Sequence, residues 1–133
     1  MKNKFKFVAM FIMCICVLPL LFACSGNSNL SFGTPTYSVT KDGYHTVDVK
    51  IFNESEDTDV VLNKSDFYII IDNNKLNATT FVKGFSSSTG SYTSRLSDTF
   101  TIKSYYEHTV QIAFDVDSWE GVQATLYYKG KAI

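Results

Sequence analysis

Little in this sequence equips it for chemistry. Its 133 residues include two histidines, His45 and His108, and three cysteines, of which Cys14 and Cys16 lie inside an apolar run near the start. That is too few imidazoles and thiolates together for the usual zinc sets. Serine and aspartate are plentiful, yet no nucleophile elbow or other catalytic spacing surrounds them. The reading is therefore a non-enzyme without a metal or other cofactor. Proline is scarce, and so are runs of Ala, Leu, Glu or Lys, whereas Tyr, Phe, Thr, Val and Ile are abundant, so local propensity favours strands over helices. The longest apolar stretch, Phe7 to Phe22, has sixteen residues, short of the roughly 20 that span a bilayer comfortably.

What is present begins with that stretch. Lys2, Lys4 and Lys6 form a basic head ahead of it, and small Ala23 follows it before Cys24. This is the layout of a bacterial secretion signal, cleaved from the mature chain. Leu21-Phe22-Ala23-Cys24 resembles the lipobox of bacterial lipoproteins, with Leu21 and Ala23 as the signal-peptidase recognition residues and Phe22 bulkier than usual. The resemblance implies that the Cys24 thiol, the good nucleophile near neutral pH, receives a diacylglycerol. Cys24 then becomes an acylated N-terminus on the extracellular face of the cell membrane. An ordinary secretory signal with an incidental cysteine is the alternative. After cleavage Cys24 is the single remaining thiol, so no intramolecular disulfide forms. Removal of the leader also leaves nine basic against thirteen acidic residues, a balance of −4. This argues against nucleic acid and against a polybasic lipid patch, leaving membrane attachment to the acyl chains.

Residues 24–35 are small and polar and read as a flexible tether; residues 36–133 suit one domain. Strands are expected over Tyr37–Lys41, Tyr44–Asn53 with Val47, Val49 and Ile51 inward, Val60–Leu62, and Phe67–Asp72. Four more follow over Lys75–Val82, Leu96–Ile102, His108–Val116 with Val110, Ile112, Phe114 and Val116 inward, and Val122–Tyr128. Asp42-Gly43, Asn63–Asp66, Asn73-Asn74 and Asp117–Gly121 read as turns, and the serine-rich stretch Lys83–Ser94 as a mobile loop. Seven or eight short strands at about ten-residue spacing, without helical period, predict an antiparallel β-sandwich, with a closed barrel as the alternative.

Two parts of the chain carry a family likeness. The turn Leu62-Asn63-Lys64-Ser65-Asp66-Phe67 leads into a strand, and the later Phe114-Asp115-Val116 precedes the aromatic strand ending at Tyr127 and Tyr128. Together they resemble the Ig-like, telokin-like domains of Gram-positive surface lipoproteins, although Lys64 and Asn74 stand where those domains often carry proline and glycine. The resemblance implies an Ig-like sandwich at the cell surface and no assigned activity.

Three groups of residues are candidates for function. Glu54, Glu56, Asp57 and Asp59 crowd one loop, but the central glycine and closing glutamate of a calcium loop are missing, so a solvated loop is expected. The two histidines read as polar residues at strand ends. Tyr92, Tyr105, Tyr106 and Trp119 fall outside the alternating strands, and tyrosine beside serine and glycine is the composition of loops that bind partners. They are the candidate binding patch, for an unknown protein or cell-wall ligand; the equal alternative is that Trp119 and one tyrosine fold back to cap the sandwich. The function expected is a membrane-anchored extracellular interaction module. A surface inhibitor or immunity protein that blocks an incoming enzyme, toxin or phage, with the serine-rich loop as its inserting element, is the alternative.

Overall fold

The computed structural model describes residues 29–86 and 92–133. The leader, the lipobox-like tetrapeptide with Cys24, and residues 87–91 of the serine-rich stretch lie outside the described residues. Those described form β1 (Leu30–Phe32), β2 (Thr36–Val39), β3 (His45–Asn53), β4 (Val60–Asn63), β5 (Phe67–Ile71) and β6 (Asn74–Asn77). β7 (Thr80–Ser86), β8 (Tyr92–Ser97), β9 (Thr99–Ile102), β10 (Glu107–Ala113), β11 (Ala124–Tyr128) and β12 (Lys131–Ala132) complete them. All pairings are antiparallel.

One sheet has the order β1-β3-β10-β7-β8, with β2 also on β3; the second has the order β12-β11-β5-β6; a β4–β9 ribbon stands apart. In immunoglobulin lettering the first sheet is A-B-E-D, with β1 and β2 sharing strand A, and the second is G-F-C-C′. The protein is an antiparallel β-sandwich, as composition and alternation predict, and its strand order is the Ig-like one that the resemblance implies.

Its core follows from the two-residue period of a strand. Val47, Val49 and Ile51 of β3 and Val110 and Ile112 of β10 face Phe67 and Ile69 of β5 and Leu126 and Tyr128 of β11, all buried. Phe67 lies at the meeting of the sheets, its ring 5.8 Å from Phe81 on β7 and 4.8 Å from Tyr128 on β11. The ribbon adds Leu62, Phe100 and Ile102 to the same core.

Turn chemistry fixes the hairpins. Asp72 and Asn73 both have positive φ, as do Lys129 and Gly130. Two such residues in succession match the right-handed twist of the strands they join, and here they connect β5 to β6 and β11 to β12. At Lys64–Asp66 the family-like turn is one turn of 3-10 helix, capped where the Asn63 side chain accepts from the Ser65 N–H.

The strand count differs from expectation for identifiable reasons. The stretch 24–35, expected as a tether, contributes β1, because Leu30 and Phe32 alternate and pack on the core. Gly33 then passes so close to β3 that a Cβ would lie 3.3 Å from that of Lys50. Residues 75–82, expected as one strand, change sheets midway: the Ala78 N–H bonds Phe67 on β5, and the Thr79 N–H bonds Ala113 on β10. Expected as one strand, residues 96–102 break at Asp98 into β8 and β9, with Leu96 51% exposed while Phe100 and Ile102 are buried.

The stretch 83–94, expected as a loop, is largely the paired arms of the β7–β8 hairpin. That hairpin leaves β10 after Val82, and its Ser94 hydroxyl reaches Asp42 in the β2–β3 turn. It therefore crosses the outer face of the first sheet, which explains why Thr46, Val82 and Ala113 are buried although they point away from the core.

Truncating Phe67 leaves a cavity where three rings meet, so Phe67→Ala is expected to lower stability by about 3–5 kcal/mol. Chemical denaturation of the purified protein checks this, and a loss under about 1 kcal/mol would contradict the packing described.

Candidate functional site

β3 places two aromatic groups at opposite ends of the sandwich. Its nine residues are separated by eight rises of about 3.4 Å, which set the groups roughly 27 Å apart.

At the end where β3 finishes, Asn53 occupies the last inward position in phase with Val47, Val49 and Ile51, and it is fully buried. A buried amide must find partners. The Asn53 side-chain nitrogen donates to the carbonyl of Thr58 at 2.7 Å and reaches that of Ile102 at 3.4 Å, while its oxygen accepts from the Ser55 N–H at 3.0 Å. One side chain thus shapes the acidic loop between β3 and β4.

The turn before β10 is fastened to this loop. The Asn53 N–H donates to the Tyr106 carbonyl at 3.0 Å, the Tyr105 N–H to the Ser55 carbonyl at 2.7 Å, and the Ser104 N–H to an Asp59 carboxylate oxygen at 2.9 Å. Lys103 pairs with the other Asp59 oxygen at 3.1 Å. Within this clamp Tyr105 has φ +50, a left-handed conformation that a bulky residue adopts only where its surroundings hold it.

The result is a displayed aromatic surface. Tyr105 is 65% exposed and meets Phe52 edge-on at 5.4 Å; Tyr106 is 57% exposed and lies 4.8 Å from the His108 ring. His108 is also 5.5 Å from Phe100, and its Nε2 is buried without a hydrogen-bond partner. His108 is thus an aromatic spacer beneath Tyr106 more than a surface turn residue.

At the other end Trp119 folds back. Its ring stacks on Tyr37 at 4.8 Å, meets His45 edge-on at 6.3 Å, and its N–H donates to the Ser38 carbonyl at 3.0 Å. The Tyr37 hydroxyl in turn donates to the Ala124 carbonyl at 2.8 Å and accepts from the Ala124 N–H at 2.9 Å. β12 stops short of this part of β11, so Tyr37 satisfies an edge that no strand covers. A cavity of about 180 Å³ lies beside the clasp, lined by Pro35, Val47, Ile69 and Leu126 among others.

The four candidate aromatics therefore do not form one surface. Tyr105 and Tyr106 sit together, Trp119 caps the far end, and Tyr92 is on β8 opposite Ser86. Among the described residues no group of three or more His, Cys, Asp or Glu is placed to hold an ion. Sequence reasoning missed Tyr37 and Asn53. For Asn53 a signal existed, since an amide in phase with three core aliphatics has to be buried and bonded.

Two carboxylates share in these contacts and titrate below their ordinary value of 3.8. Asp42 is lowered chiefly by the Ser94 hydroxyl, and Asp59 by the Ser104 N–H and then by Lys103. No family model matches the sequence, and neither the curated proteins nor the solved structures give a match.

Because the fold favours the ionised form of both aspartates, their contribution is present above the ordinary carboxylate range and is lost as pH falls through the lowered values. The Ser94 N–H also donates to Asp42, at 3.2 Å, so amide exchange followed from about pH 5 to about pH 2 is expected to show Ser94 and Ser104 losing protection while Val49 keeps it. Equal loss at all three would contradict the local tie. Tyr37→Phe removes both bonds to Ala124 and is expected to cost about 1 kcal/mol by chemical denaturation; an unchanged midpoint would show the clasp to be energetically idle.

Proposed function

We propose that the chain is a lipid-anchored binding module on the extracellular face of a bacterial cell membrane, held by Cys24 and recognising its partner through the Tyr105–Tyr106 end. The observation that carries the anchor is Leu21-Phe22-Ala23-Cys24 behind a basic head and a short apolar run. What carries recognition is a pair of exposed tyrosines on a turn pinned by three backbone N–H groups. Rigid aromatic side chains give contact area at low entropic cost, as in loops that bind partners.

The two ideas join at β1. Leu30 pairs with Asn53, and the Asn29 carbonyl accepts from the Glu54 N–H at 2.7 Å, so the chain enters the domain at the tyrosine end. Six Cα–Cα steps, across residues 25–29, lead from Cys24 to Leu30. Even fully extended they reach only about 20 Å, so an anchored domain carries its tyrosines close to the bilayer.

Cys24→Ala is expected to abolish labelling by a fatty-acid analogue and to release the folded domain into the medium. Retention of Cys24→Ala in washed membranes would overturn the anchor.

A further inference from the structure

The tyrosine end has an electrostatic sign as well as an apolar surface, and the sign says what it takes. Tyr105 and Tyr106 supply the exposed rings, Tyr105 resting on half-buried Phe52 and Tyr106 on His108. Around them stand five acids: Glu54, Glu56, Asp57 and Asp59 on the loop bonded to the tyrosine turn, and Glu107, which is paired across the strands with Phe52. Two of these acids are paired with lysines. Lys103 is paired with Asp59, and Lys50 reaches Glu107 at 3.9 Å. Glu54, Glu56 and Asp57 remain without a lysine in those ion pairs, so the loop beside the tyrosines is acidic.

The favoured occupant follows from that combination. Aromatic faces attract cations through the ring quadrupole, and a guanidinium both stacks on a ring and forks onto a carboxylate. An anionic lipid headgroup would be repelled by the same acids, so the aromatics are not suited to sit in the surface of an anionic bilayer. We propose that the turn displaying Tyr105 and Tyr106 docks a lysine- and arginine-bearing polypeptide segment, with cationic side chains over the tyrosine rings and the flanking carboxylates at their heads. This rests on the reading of the tyrosine end as the recognition surface and names its partner class. Nearness to the bilayer adds a consequence: an anionic membrane concentrates cationic peptides at its surface, within reach of this end of an anchored domain.

The test uses the full chain reconstituted in vesicles of phosphatidylcholine alone, which lack the anionic lipid that would attract the probe. The probe is a fluorescein-labelled dodecapeptide of lysine, arginine and serine, read by anisotropy. Competitors are an uncharged serine–glutamine peptide and a chitosan oligosaccharide of equal charge.

The cationic peptide is expected to bind, to weaken at least about tenfold between about 50 and about 500 mM salt, and to resist the uncharged peptide. Tyr105→Gly is the decisive variant. Glycine accepts φ +50 without strain, so the fold is kept while the ring is lost, and binding is expected to fall about tenfold with no change in charge. Tyr106→Ala, checked for an unchanged melting transition, is expected to act alike, and Glu54→Gln with Glu56→Gln to flatten the salt dependence. Peptide binding that survives Tyr105→Gly, or chitosan binding more tightly than the peptide, overturns the proposal. If the peptide fails to bind while Tyr105→Gly still abolishes binding to native cell envelopes, the partner class is wrong and the recognition surface stands. Should Tyr105→Gly change binding to neither, the recognition surface itself falls.

Discussion

The contact on which the sandwich depends is the meeting of Phe67, Phe81 and Tyr128 between the two sheets. Each sheet alone has one apolar face that water penalises, and at this size the fold has no disulfide to compensate for a poor core. Phe67 begins β5 directly after a capped helical turn, while Phe81 follows the change of sheet at Ala78 and Thr79. The same three rings therefore fix where the chain must cross from one layer to the other.

From that packing the ends of the sandwich acquire opposite characters. One is closed by side chains that turn back on the fold: Trp119 stacks on Tyr37, and the Tyr37 hydroxyl completes the edge of β11. At the other, a buried amide points its bonds outward into the loops, so that Asn53 stabilises the fold by organising what lies beyond it. A buried polar side chain is tolerated when all its bonds are made, and here making them holds the acidic loop against the tyrosine turn. The first end spends its aromatics on stability, whereas the second displays them.

The legible parts of this architecture were those governed by local periodicity. Val47, Val49 and Ile51, and Val110 and Ile112, follow the pleat, so their strands and their facing could be read directly. The change of sheet at Ala78 was not legible, because Leu76 and Ala78 alternate smoothly up to it and the switch is made by backbone partners distant in sequence. Composition misled over residues 83–94, where serine-rich segments pair through their main chains without needing apolar side chains. Of the candidate patch, Tyr105 and Tyr106 were found together because they are adjacent in the chain. That Trp119 belongs elsewhere depends on a stack with Tyr37, some eighty residues away, which no local pattern reports.

The pairing of β3 with β10 governs when the molecule can exist at all. Residues 46–52 join residues 107–113, roughly sixty positions apart, to form the middle of the first sheet. Closing so large a loop is entropically costly and is repaid only when both strands are present. Before β10 arrives, β3 has only the short β1 and β2 beside it, and β5 lacks β11 as its inner neighbour. A chain with this topology can complete neither sheet until β10 has joined β3 and β11 has joined β5, so both layers form together and neither serves as a template for the other.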